Sequence, residues 1–297
     1  MGEKGNQMRN VRQIYNATSS HWVGNGFLVQ PLFSHMGEDK QTDPFLMLDY
    51  GAPRVFEPNA GRPRGVGQHP HKGFETVTIA YAGEVAHRDS SGGGGVIGVG
   101  DVQWMTAGSG ILHEEFHSEA FGRTGGEFEM VQLWVNLPKK DKNTAPRYPG
   151  LLNQDIPEVA LSDDAGSVRV IAGEFDGVAG AAQTFTEMNL WDVQLNASAS
   201  ATLTVPESHN LLMVVLRGQM RLNGTDEATQ GQLIGFEMMG GDVQLQAVGD
   251  APVKILLLSG VPIGEPVVGY GPFVMNTEDE IQQAITDFNQ GRFGRIA

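Results

Sequence analysis

Short apolar runs recur along the whole chain, separated by glycine-rich or polar breaks. GFLVQPLF, FLMLDY, ETVTIAY, VIGVGDVQWM and EMVQLWVNL occupy the first half. SVRVIAGEF, NLWDVQL, ATLTVP, NLLMVVLRGQMRL, QLIGFEM, VQLQAV and VKILLL occupy the second. They are rich in β-branched and aromatic residues and bounded by turn formers, which predicts strands rather than helices. Val131, Leu133, Val135 and Leu137 alternate with Gln132, Trp134 and Asn136. That period of two gives a strand one apolar face. Leu222-Asn223-Gly224-Thr225 reads as a hairpin turn, since Asn-Gly readily takes positive φ. Strands at this spacing predict a sandwich or barrel in each half. SSGGGG, Ser90 to Gly95, reads as a flexible loop, and KKDKNTAPRYP as a linker, because charge and proline break the pattern. The expected domains are therefore residues 1–140 and 150–297.

The period changes at the end. In NTEDEIQQAITDFNQG, Ile281, Ala284, Ile285 and Phe288 share one helical face. Thr277 with Glu280 forms a capping box, and Gly291 can end the helix. Its apolar stripe is expected to pack on a barrel.

Composition narrows the function. The 297 residues suffice for one large or two modest domains, and 40 glycines suit many tight turns. A net charge of −15 argues against direct binding to a nucleic-acid backbone. The chain has no cysteine, which removes disulfides, thiolate ligands and a cysteine nucleophile, and fits a reducing compartment. MGEKGNQMRNVRQIYN has no apolar core of the kind a secretory signal needs, and LLMVVL and ILLL are too short to span a bilayer. A soluble cytoplasmic protein is expected.

Four side chains carry the candidate chemistry: His69 and His71 in GQHPHKGFET, and His113 and Glu115 in GSGILHEEF. Each pair is spaced i, i+2, so in a strand each aims both groups at one face. A lone His-x-His is more often a surface accident. Here Pro70 stiffens the backbone between the imidazoles, and both pairs sit in strand-like contexts. Two facing strands would offer three nitrogens and one oxygen to a transition metal, with room for further ligands. Glu114 falls on the opposite face from His113 by parity. Glu75 shares parity with the first pair but lies roughly 13 Å along the strand from His71; a bend at Gly73 could bring it in as a supporting group. His209 in PESHNLL stands alone and reads as a surface or hydrogen-bonded residue. Phe74, Trp104, Met105 and Phe116 flank the motifs and read either as ordinary core or as walls of an apolar pocket.

HPHKGFETVTIAY, GDVQWMTAGSGILHEE, MVQLWVNLP and PFVMNTEDEIQQAITDFNQGRFG resemble the pirin family, a bicupin family. The resemblance implies an all-β bicupin: two facing jelly-roll β-barrels with a C-terminal helix. It implies one metal in the N-terminal barrel, held by His69, His71, His113 and Glu115, and none in the second. It further implies a metal-dependent dioxygenase, a quercetin (flavonol) 2,3-dioxygenase, with a flavonol and dioxygen as substrates. Glu115 would be the catalytic base that takes the 3-hydroxyl proton. The alternative it implies is a non-catalytic iron-binding protein that regulates a transcription factor or metabolic enzyme through a protein partner. Iron(II) is the expected metal, though the ligand set also accepts Mn, Ni, Co, Cu or Zn.

Overall fold

The computed structural model describes residues 7–37, 41–59 and 61–296. The chain divides into two compact units that do not follow its halves. One unit, called here the site unit, comprises Thr18–Asp39, Pro44–Asn153 and Ile263–Ala297. The second comprises Met1–Ala17, Lys40–Asp43 and Gln154–Pro262.

Each unit contains one seven-stranded and one four-stranded sheet. In the site unit the large sheet runs, edge to edge, Gly150–Leu151, Val102–Thr106, Phe74–Ala82, Gly126–Asn136, Phe45–Phe56, Phe27–Ser34 and His21–Val23. The small sheet runs Gly65–His71, Ile111–His117, Val85–Asp89 and Gly94–Ile97. Phe27, Val29, Ala80, Phe128 and Met130 from the large sheet share a core with Val85 and Ile97 from the small one. The inward positions follow the expected alternation of two, as in the burial of Asp242–Ala247 in the second unit. The Asn223-Gly224 hairpin forms as expected, both residues at positive φ between Gln219–Leu222 and Asp226–Thr229.

The expected pair of closed barrels does not form. Among the described residues every sheet is open, with two edge strands that do not pair with each other. An inward-outward alternation is common to an open sandwich and a closed barrel. Closure depends on strand tilt and stagger, which local patterning does not encode. Two edges of the large sheet are the short strands His21–Val23 and Gly150–Leu151, which leave few backbone groups unpaired. The fold is thus all-β, mostly antiparallel and open, with two α-helices among the described residues. The shorter, Glu119–Thr124, is capped by Ser118, whose hydroxyl accepts from the Phe121 N–H.

The longer helix, Glu278–Asn289, has the full capping box between Thr277 and Glu280. Gly291 follows its end at φ 72°, a left-handed position that glycine takes without strain. Ile281 and Ala284 pack with Phe273, Met275, Phe293 and Leu112. Burying the Ile281 side chain contributes roughly 1.5–3 kcal/mol. Leu112 belongs to the Ile111–His117 strand, so this helix braces the strand that carries His113.

Two expected loose segments are instead tied down. Lys142, in the presumed linker, is only 1% exposed. Its Nζ donates to Gly73 O at 2.9 Å, Asn136 Oδ1 at 2.8 Å and Val274 O at 3.0 Å. Burial pulls its pKa down to about 8. Three acceptors offset the cost of burying the amine, and the segment becomes a strap on the site unit. In the glycine-rich turn, Asp89 Oδ1 accepts from Ser91 N and Gly93 N, while Ser90 Oγ accepts from Leu112 N. No helix among the described residues is long and apolar enough to cross a membrane.

Candidate functional site

The strands Gly65–His71 and Ile111–His117 pair antiparallel, with His69 opposite His113 and His71 opposite Ile111. This register brings three imidazoles together. Ring centroids are 4.9 Å apart for His69 and His71, 4.2 Å for His69 and His113, and 4.8 Å for His71 and His113. One nitrogen from each lies within 4.8 Å of the others. Beyond His113 the pairing shifts, so that Glu115 faces Val66. The extra residue is on the other strand. Against Val85–Asp89 the register is unbroken, with His113, Glu114 and Glu115 opposite Asp89, Arg88 and His87. Glu115 therefore keeps the face of His113 and lines the same cavity as His69 and His71. Glu114 turns outward, where its Oε1 accepts from Arg88 Nε at 2.9 Å.

Burial sets the protonation of this cluster. Loss of solvation pushes the pKa values of His71 and His113 well below the ordinary imidazole range, and neighbouring imidazoles push them the same way. Burial also lowers that of His69. Neutral imidazoles are the form that binds metals. His69 Nδ1 lies 2.9 Å from the Gly67 carbonyl. A carbonyl only accepts, so Nδ1 carries the proton and Nε2 has a free lone pair. His113 Nδ1 lies 3.0 Å from His87 Nε2, while His113 Nε2 and His71 Nδ1 are buried without a hydrogen-bond partner. Orphaned buried nitrogens are costly unless something binds them. Burial raises the Glu115 pKa to about 7, with the Thr78 hydroxyl, 3.5 Å away, acting in the opposite sense. Three neutral imidazole donors gathered within 4.8 Å of one another fit a divalent transition metal, while the Glu115 carboxylate lines the adjoining cavity and is not part of that close group.

The cluster opens onto a cavity of about 450 Å³. Val23, Phe27, Val29, Met47, Met130 and Trp134 give it apolar walls. Cross-strand register explains the lining. Trp134 lies opposite Met47, and Gln132 lies between Asp49 on one side and Thr78 on the other. Thr78 Oγ1 donates to Gln132 Oε1 at 2.8 Å. Trp134 packs against Phe74 at 4.3 Å and His71 at 5.3 Å between centroids.

The flanking side chains have other roles. Phe74 supports His71 edge-on at 5.2 Å, and Met105 packs with Ala107 and Ile111. Trp104 is fully buried opposite Val77, and Phe116 lies on the reverse face from Glu115. None of the four lines the cavity. Glu75 does not support the cluster either. It lies on the other face of its strand from Thr78, where its Oε1 accepts from Thr106 Oγ1 at 2.6 Å with Arg147 3.9 Å away. His209 is a core residue of the second unit, with Nδ1 3.1 Å from Ser259 Oγ. Sequence reasoning missed Asp49, Gln132, Trp134 and His87. The alternation through 131–137 did expose Gln132 and Trp134 as one face, but it did not say what that face lined.

Residues 26–135 match the pirin family, and residues 190–294 match the pirin C-terminal cupin domain. The chain belongs to the pirin family. A Pseudomonas aeruginosa relative, named "Putative quercetin 2,3-dioxygenase", is 52% identical over 97% of this pirin and 99% of its own length. A "Pirin-like protein" from Caulobacter vibrioides is 40% identical over 86% of this pirin and 89% of its own length. The crystal structure of an Acinetobacter baumannii quercetin 2,3-dioxygenase superposes with a TM-score of 0.93 at 50% identity, covering 98% of this pirin and all of that chain.

Proposed function

We propose that this pirin is a metal-dependent flavonol 2,3-dioxygenase, with quercetin or a close analogue as substrate. His69, His71 and His113 would hold the metal, with Glu115 as fourth donor and iron(II) as the proposed ion. The observation that carries the reading is a cluster of three neutral imidazoles beside a largely apolar cavity that His69, His71 and Glu115 line. The named activities of the 50–52% identical relatives support it.

When bound, the metal supplies Lewis acidity toward a chelating hydroxyl and one-electron chemistry toward dioxygen. The chain supplies the rest. Glu115, with a pKa of about 7 before any metal is present, takes the 3-hydroxyl proton of the flavonol. Phe27, Met47, Met130 and Trp134 exclude water and hold a flat aromatic ligand. A volume of about 450 Å³ falls within the usual range for small-molecule sites. His87 orients His113 through its ring nitrogen.

The test is oxygen uptake by anaerobically iron-loaded protein on mixing with quercetin and air. Stoichiometric loss of flavonol and dioxygen is expected. No turnover of any flavonol by fully loaded protein would leave the non-catalytic, metal-dependent regulatory protein as the better account.

A further inference from the structure

Every buried carboxylate among the described residues but one has a protein donor or a nearby hydroxyl. Asp192 accepts from Arg169, Glu129 from Tyr50, Glu75 from Thr106, and Asp89 from Ser91, while Glu115 lies near Thr78. Asp49 is 8% exposed and has no protein hydrogen-bond partner among the described residues. It is neither a cap nor a turn residue, the usual structural reasons for a buried aspartate. It sits inside the Phe45–Phe56 strand between Leu48 and Tyr50, whose side chains are fully buried on the other face. Its own side chain lines the cavity, in register with Gln132 and, one strand further, Thr78. Two strand spacings put Asp49 roughly 10 Å across the cavity floor from Thr78, and Thr78 lies beside Glu115. A polar row thus runs from Asp49 through Gln132 toward Thr78 and Glu115, flanked by apolar walls.

We propose that Asp49 is a specificity-determining residue: its carboxylate accepts a hydrogen bond from a hydroxyl on the end of the aromatic substrate away from the histidines. The proposal rests on the flavonol reading above and adds a requirement to it. A flavonol held by its 3-hydroxyl end spans the floor and carries its ring hydroxyls toward Asp49. The Asp49 carboxylate oxygens are not fully buried orphans and so face solvent in the cavity. A substrate that displaces that solvent must supply a donor in its place, which a phenolic hydroxyl does. Burial raises the Asp49 pKa to about 6, and the charge of His21 opposes the shift. The group is therefore ionised at neutral pH. An unsubstituted ring would leave it unpaired, which is how a polar site rejects an analogue lacking a hydroxyl.

The test compares quercetin with 3-hydroxyflavone, which keeps the chelating end and lacks every distal hydroxyl. Anaerobic calorimetric titration of iron-loaded protein measures binding without turnover. Wild type is expected to bind quercetin about 10- to 100-fold more tightly than 3-hydroxyflavone, the range for a hydrogen bond to a charged group. Asp49→Leu should abolish that preference by weakening quercetin alone, and Asp49→Asn should retain part of it. Iron content equal to wild type establishes that the variants are folded. The same preference in wild type and both variants would overturn the assignment of Asp49 while leaving the flavonol reading intact. Failure of wild type to bind either compound would overturn both.

Discussion

The two units use the same strand plan for opposite ends. Each sets a four-stranded sheet beside a seven-stranded one. In the small sheet of the site unit, the first two strands are Gly65–His71 and Ile111–His117. In the second unit those places belong to Ser200–Thr204 and Asp242–Ala247. There Leu203 faces Val243 and Ala201 faces Leu245 across the ladder. Leu203, Val243, Leu245 and Ala247 join a large apolar core with residues such as Val168, Met213 and Leu257. Where the site unit turns imidazoles and a carboxylate inward, the second turns aliphatic groups inward. The same scaffold presents donor groups in one case and an aliphatic core in the other, so the chemistry lies in a few inward positions rather than in the fold.

The largest expected break in this comparison comes from the site unit. Changing His69 and His71 together to Ala should remove bound metal entirely and abolish oxygen uptake, as read by elemental analysis and an oxygen electrode. His209→Gln in the second unit should leave metal content unchanged. Equal loss from both would mean the metal lies elsewhere.

A smaller effect separates neighbours on one strand. Glu115→Gln should lower turnover by about 10²- to 10⁴-fold if the group acts as base, with a much smaller change in flavonol affinity. Glu114→Gln, whose carboxylate pairs with Arg88 on the outer face, should behave as wild type. The reverse result in steady-state kinetics would place the wrong carboxylate in the cavity.

The second unit should respond only in stability. Leu245 is fully buried, and Leu245→Ala should cost about 2–5 kcal/mol in denaturant unfolding, with metal content retained. A loss of metal instead would show that the two strand pairs are not independent in function.

How much of this was legible in the sequence depends on how far apart the relevant residues are. The His-x-His and His-x-Glu faces needed only strand parity, and Glu114 turned away as parity required. The capping box and the Asn-Gly turn are equally local. The cavity is not. Asp49, Gln132 and Thr78 lie on three strands, and only the register of those strands aligns them. His87 meets His113 by pairing between strands that the sequence does not match up. Closure of a sheet is likewise a property of its edges, so open sheets and barrels share one alternation. Lys142 shows a further limit: charge predicted exposure, but three carbonyl-type acceptors from distant segments made burial favourable.

The central claim is that one metal sits at the three-histidine face of the site unit and that the aliphatic strands of the second unit hold none. Anomalous diffraction at the iron edge, from crystals grown of anaerobically loaded protein, tests it most directly. The account predicts one peak per chain within bonding distance of His69, His71, His113 and Glu115. A peak in the second unit, or density at the histidines with Glu115 turned away and Glu114 or Glu75 in its place, would contradict it.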